Sequence, residues 1–77
     1  MVKTYSFIIK YPHKKLGIGE EHTIRVDEVL RLVKIQRKEN AFDLKIVFKN
    51  RDELKIPGEL ADTNRIYNDL KKLIEEL

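Results

Sequence analysis

Between Lys3 and Tyr11 the chain alternates, with Tyr5, Phe7, Ile9 and Tyr11 on one side and Thr4, Ser6, Ile8 and Lys10 on the other. A period of two marks a strand with one buried face, here the aromatic side. Pro12 lacks the N–H that a ladder requires and ends the strand. After a loop over residues 12–21, His22-Thr23-Ile24-Arg25-Val26 is expected to return as the second strand of an antiparallel hairpin.

Residues 27–39 carry two competing patterns. Val26, Val29, Leu30 and Val33 fit a helical stripe, whereas Val29, Val33 and Ile35, with Arg31 between them, fit a strand face. A helix would leave Leu32 and Ile35 exposed and would have only Glu39, Asn40 and Ala41 to reach the next strand. β-Branched Val and Ile suit a pleated surface, so the expectation is a tight turn at Asp27-Glu28, a strand from about Leu30 to Arg37 and a hairpin turn at Lys38-Glu39-Asn40.

Phe42, Leu44, Ile46 and Phe48 then mark one strand face, which Leu54 and Ile56 continue after the polar turn Asn50-Arg51-Asp52. This is a strong hairpin signal. Pro57-Gly58 breaks the sheet, and Asp62-Thr63-Asn64 offers N-cap oxygens to a final helix whose apolar stripe runs Ile66, Leu70, Leu73, Ile74, Leu77. Arg65 in the first turn and Glu75-Glu76 in the last oppose the helix dipole, and Lys71/Glu75 and Lys72/Glu76 at i,i+4 partly offset this.

The fold class that follows is α+β: an antiparallel meander of about five strands, curled into a partly open barrel, with one C-terminal α-helix packed on it. Over residues 22–77 the succession of strand, tight turn, two longer strands, short strand and capped helix resembles, in pattern alone, the later part of a pleckstrin-homology-like domain. No repeat, linker or low-complexity tract interrupts the single domain, residues 1–77.

Seventy-seven residues bury only about 60–65% of their unfolded surface, and the absence of cysteine removes disulfides and thiolate metal sites as further stabilisation. Self-association is therefore one expected outcome. The charged fraction of 38% suits a water-exposed surface. The net charge of +3 is uneven: residues 1–38 carry nine Lys/Arg against four Asp/Glu, and residues 39–77 seven against nine. No apolar run approaches the ~20 residues that span a bilayer, and the N-terminus lacks the pattern of a secretory leader, so a cytoplasmic location is expected and membrane insertion is not.

Catalytic chemistry finds little footing. His13 and His22 have no second ligand at metal spacing, and the carboxylate neighbours Glu20-Glu21, Asp52-Glu53 and Glu75-Glu76 diverge rather than converge. Ser6, the sole serine, lies within a strand and lacks the glycine-flanked elbow of a hydrolase nucleophile. Gly17-Ile18-Gly19 lacks the third glycine and following helix of a phosphate loop and leads into two glutamates. The expectation is a non-enzymatic protein without metal, cofactor or small-molecule ligand.

The candidate binding surface is the outward sheet face, where Ile8 and Val47 stand among Lys10, Arg25, Lys45 and Lys55, with Lys14 and Lys15 on the loop beside His13. Apolar residues within a basic face suit a protein partner or a second copy of the chain. The alternative is sequence-tolerant nucleic-acid binding, in which the basic residues Lys10, Lys14, Lys15, Arg25, Lys45 and Lys55 hold phosphates. That face has no aromatic to stack a base and carries Asp43 and Glu53.

Overall fold

The computed structural model describes residues 3–10, 19–39 and 41–77. Strands β1 (Thr4–Lys10) and β2 (Gly19–Arg25) form the expected antiparallel hairpin, with Tyr5 opposite Ile24, Phe7 opposite His22 and Ile9 opposite Glu20 on the inner face. β2 begins three residues earlier than its apolar pattern suggests, because Glu20 and Glu21 pair with Ile9 and Ile8. Gly19 closes this end of the ladder: a Cβ there would lie 2.7 Å from the Ile9 carbonyl oxygen and 2.8 Å from Ile8 Cγ2. The chain between the hairpin strands, including Lys14, Lys15 and the Gly17-Ile18 pair, lies outside the described residues.

A single 3₁₀ turn at Val26–Glu28 replaces the two-residue turn expected at Asp27-Glu28 and leads into β3 (Val29–Lys38). The ambiguous stretch is thus a strand, and two features account for its mixed pattern. A bulge between Val29 and Arg31 leaves Leu30 61% exposed. Lys34 occupies an inward position opposite Leu44 and caps an aromatic pair, its Nζ 4.9 Å from the Phe42 ring centre and 4.2 Å from that of Tyr67. Those two rings meet edge to face, so the cation–π contact lets a lysine sit where alternation demands an apolar residue.

β4 (Ala41–Phe48) pairs antiparallel with both β3 and β5 (Glu53–Ile56) and is the central strand of a three-stranded sheet. The β4–β5 turn places Arg51 at φ 75° and is held by Asn50, whose Oδ1 accepts the Asp52 N–H at 3.0 Å. Helix α1 (Thr63–Glu75) starts as its cap residues predict, with Asp62 Oδ1 accepting the Arg65 N–H at 3.1 Å. Ile66 and Leu70 are buried and Leu73 and Ile74 half-buried, but the stripe stops there, and Leu77, beyond the helix end, is 64% exposed. At the same end Lys3 Nζ lies 3.3 Å from Glu76, offsetting one of the unfavourably placed acids.

The five strands form two sheets, β1-β2 and β3-β4-β5, that share one core of Phe7, Ile9, Ile24, Val26, Val29, Leu44, Ile46, Ile56, Ile66 and Leu70. They do not close into the partly open barrel that the strand count suggests. Between β1 and the segment after β5 a lone backbone bond forms among the described residues, from Lys10 N–H to the Leu60 carbonyl at 2.8 Å. Beyond it, α1 rather than another strand lies beside β1.

The junction between β5 and α1 is pinned to the start of β4. Asp43 is 6% exposed although it points outward from the sheet. Its Oδ1 accepts the Gly58 N–H at 3.0 Å, and its Oδ2 lies 2.8 Å from Arg37 Nε and 4.0 Å from Lys55 Nζ. Thr63, also buried, donates its hydroxyl to the Phe42 carbonyl at 2.8 Å. Gly58 has to be glycine on steric grounds, since a Cβ would fall 2.5 Å from the Phe42 carbonyl oxygen.

Candidate partner-binding surface

The expected outward face is divided between the two sheets. On the hairpin, Ile8, Lys10 and Arg25 are exposed with Thr4, Ser6, Glu21 and Thr23. On the larger sheet, Lys45, Val47 and Lys55 share the outer side with Arg31, Val33, Ile35, Asp43 and Glu53. Lys14 and Lys15 lie outside the described residues.

Val47 is buried rather than exposed as its outward position suggests. It sits in the central strand between Arg31 and Glu53 and is 7% exposed. Strands on both sides and the long side chains they carry cover a central position that an isolated strand pattern presents as open.

Three cations of this face, Arg25, Lys45 and Lys55, have acidic neighbours. Lys45 Nζ lies 3.0 Å from Glu53, Lys55 shares Asp43 with Arg37, and Arg25 makes a two-pronged contact with Asp27 at 2.9 and 3.3 Å. The Arg25 hydrogen bond holds the Asp27 carboxyl below its ordinary range, and Asp27 in turn raises the Arg25 guanidinium.

Ile8 differs from the rest. It is 52% exposed on β1, opposite Glu21, and borders a cleft of about 380 Å3 between β1 and the first half of α1. The cleft is lined on the strand side by Tyr5, Ser6, Phe7 and Ile8 and on the helix side by Asp62, Arg65, Ile66 and Asp69. A smaller depression of about 270 Å3 continues along α1 past Tyr5 and Asp69 to Lys72, Leu73 and Glu76. Tyr5 bridges strand and helix, its hydroxyl donating to Asp69 at 2.8 Å. Partial burial, reinforced by that bond and by the Asp69 charge, pushes the phenol up to about 12.

Sequence reasoning singled out Ile8 but not the cleft. Ser6, Asp62, Arg65 and Asp69 come together only through the packing of a C-terminal helix beside the first strand. The cleft's polar groups are the Asp62 N-cap, an ion pair with Arg65 Nε 3.9 Å from Asp69, the tyrosine bond, the Ser6 hydroxyl 2.7 Å from that of Thr23, and Glu21. Among the described residues no three His, Cys, Asp or Glu side chains gather at metal-binding distance, and no helix is long and apolar enough to cross a membrane. Comparison of the chain with protein-family models, with curated proteins and with solved structures finds no match.

Proposed function

We propose that this protein is a non-enzymatic interaction module that engages a protein partner through the β1 side of the molecule. The observation that carries this reading is the coincidence of an exposed isoleucine, Ile8, with an open cleft at the edge of the same strand. An apolar side chain standing free beside a concave surface lowers its free energy when a partner covers both, as at the apolar centre of protein interfaces. The competing nucleic-acid reading has weaker support, since Arg25, Lys45 and Lys55 each have an acidic neighbour.

A photo-crosslinking side chain placed at Ile8 and, as a control, at exposed Lys49 tests the proposal in living cells. A discrete protein adduct at position 8 and none at 49 is the expected result. Equal labelling at both positions, or adducts with nucleic acid alone, would overturn it. Light scattering with a short duplex sharpens the contrast: nucleic-acid binding requires a complex at low salt that dissociates steeply as salt rises, and the interaction reading expects no complex at either.

A further inference from the structure

We propose that the free edge of β1 receives a short extended segment of a partner protein as an added strand, and that this segment alternates apolar residues with Lys or Arg. The inference rests on the reading of β1 as the docking side and names the mode and the chemistry of the occupant.

The phase of the hairpin ladder decides which backbone groups are available. The Lys3 carbonyl accepts the Val26 N–H at 2.9 Å, so in the observed register the hydrogen-bonded pairs are Tyr5/Ile24, Phe7/His22 and Ile9/Glu20. Ser6 and Ile8 belong to the alternate pairs and turn both N–H and C=O away from β2. The 2.7 Å contact between the Ser6 and Thr23 hydroxyls fits the closer side-chain approach of such a pair. Lys10 has the same phase, and its N–H donates to Leu60. The edge therefore bonds where protein lies beside it, and at Ser6 and Ile8 the cleft lies beside it instead.

Protein edges left open are ordinarily blunted by bulges, prolines or rows of charge. β3 has such a device in the bulge at Leu30, whereas β1 pairs from Thr4 to Lys10 without a register shift. An incoming strand would lie ~4.8 Å from β1, with alternate side chains directed toward buried Phe7 and Ile66 at the base of the cleft. The cleft lining carries three carboxylates, Glu21, Asp62 and Asp69, against the one guanidinium of Arg65. That balance favours a basic segment and disfavours an acidic one. In any second copy the β1 edge is flanked by its own α1, which opposes edge-to-edge pairing of two copies and favours a short single segment.

The probe is a blocked hexapeptide of alternating valine and lysine, titrated into the full chain and followed by amide NMR. Saturable shifts and slowed hydrogen exchange at Ser6 and Ile8, with shifts in the first turn of α1, are expected. The same peptide N-methylated on alternate residues, and a valine–glutamate counterpart, should each bind at least about tenfold more weakly. Ile8→Pro removes the outward N–H without touching a β1–β2 ladder bond and should weaken binding similarly; the N-methylated peptide makes the same test on the unaltered protein. Glu21→Gln with Asp69→Asn should weaken the lysine peptide and flatten its salt dependence.

Equal affinity for the N-methylated peptide, or shifts confined to other strands, would overturn strand addition. A position-specific protein adduct at Ile8 with no response of the Ser6 and Ile8 amides to the peptide would sink this inference and leave the docking reading standing. A concentration-dependent doubling of mass that blocks the peptide would assign the edge to a second copy instead. Absence of both adduct and peptide binding would remove both.

Discussion

Asp43 and Ile8 occupy the same kind of outward position on their strands, and their exposures, 6% and 52%, are the reverse of what their side chains prefer. The difference comes from neighbours. β4 is paired on both edges, and the segment after β5 folds over its start, so Asp43 is enclosed by Gly58, Arg37 and Lys55. β1 is paired on one edge, and its other edge opens into the cleft. At the first site a buried carboxylate is balanced by a backbone donor and two cations; at the second, an apolar side chain and two peptide groups remain uncovered. Burial follows strand position before residue type, and the groups left without neighbours are those available to a partner.

If this contrast holds, substitutions at the junction should cost stability and spare binding, whereas those at the β1 edge should do the opposite. The largest effect is expected for Gly58→Ala, whose Cβ would meet the Phe42 carbonyl oxygen at 2.5 Å. Backbone must move, so the loss should reach the top of the ~1–3 kcal/mol range for overpacking and lower the thermal midpoint by more than about 10 °C. A midpoint close to that of the parent would show that the junction is compliant.

Asp43→Ala comes next. It strands the Gly58 N–H and removes the partner of Arg37, at an expected cost of about 1–3 kcal/mol in urea unfolding. Asp43→Asn, which keeps an acceptor for Gly58, should recover a large part. Equal losses for the two variants would assign the effect to the ion pairs rather than to the backbone bond. Asp62→Ala should cost about 1 kcal/mol through loss of the helix cap, and its helical circular dichroism should fray from the N-terminal turn.

Tyr5→Phe is a smaller test, about 0.5–1 kcal/mol near neutral pH, with a distinctive pH signature. The Tyr5 hydroxyl is raised from 10.0 to about 12 in the folded chain, so the folded state keeps a proton that the unfolded chain gives up first. Its contribution is complete below pH 10 and is lost as pH rises through 12. The stability advantage of the parent over Tyr5→Phe should therefore shrink across that interval; a constant difference would mean that Tyr5 titrates alike in both states. The smallest stability change is expected for Ile8→Glu, within about 0.5 kcal/mol, although it should abolish the position 8 contact with a partner. A large destabilisation there would make Ile8 part of the core and erase the contrast.

Much of this organisation was legible along the chain. Alternation over residues 3–10 and 42–48 and the stripe at Ile66 and Leu70 are local consequences of side-chain spacing, so strands, helix and the inner faces followed from pattern. β3 was harder, because the bulge at Leu30 and the inward Lys34 break the period of two for reasons that lie in Phe42, Tyr67 and the partner strand. The barrel expectation failed at closure: strand count says nothing about whether β1 meets the segment after β5 along its length or at Lys10 alone.

The site divides in the same way. Sequence alone placed Ile8 on the outward face, and it set the hairpin and the capped helix, because these depend on residues near one another in the chain. Tertiary structure decided that Val47 is covered, that Asp43 is buried and matched, and that Ser6 and Ile8 face Asp62, Arg65 and Asp69 across a cleft. Those outcomes depend on which elements become neighbours, a property of long-range packing that the period of a strand or a helix does not encode.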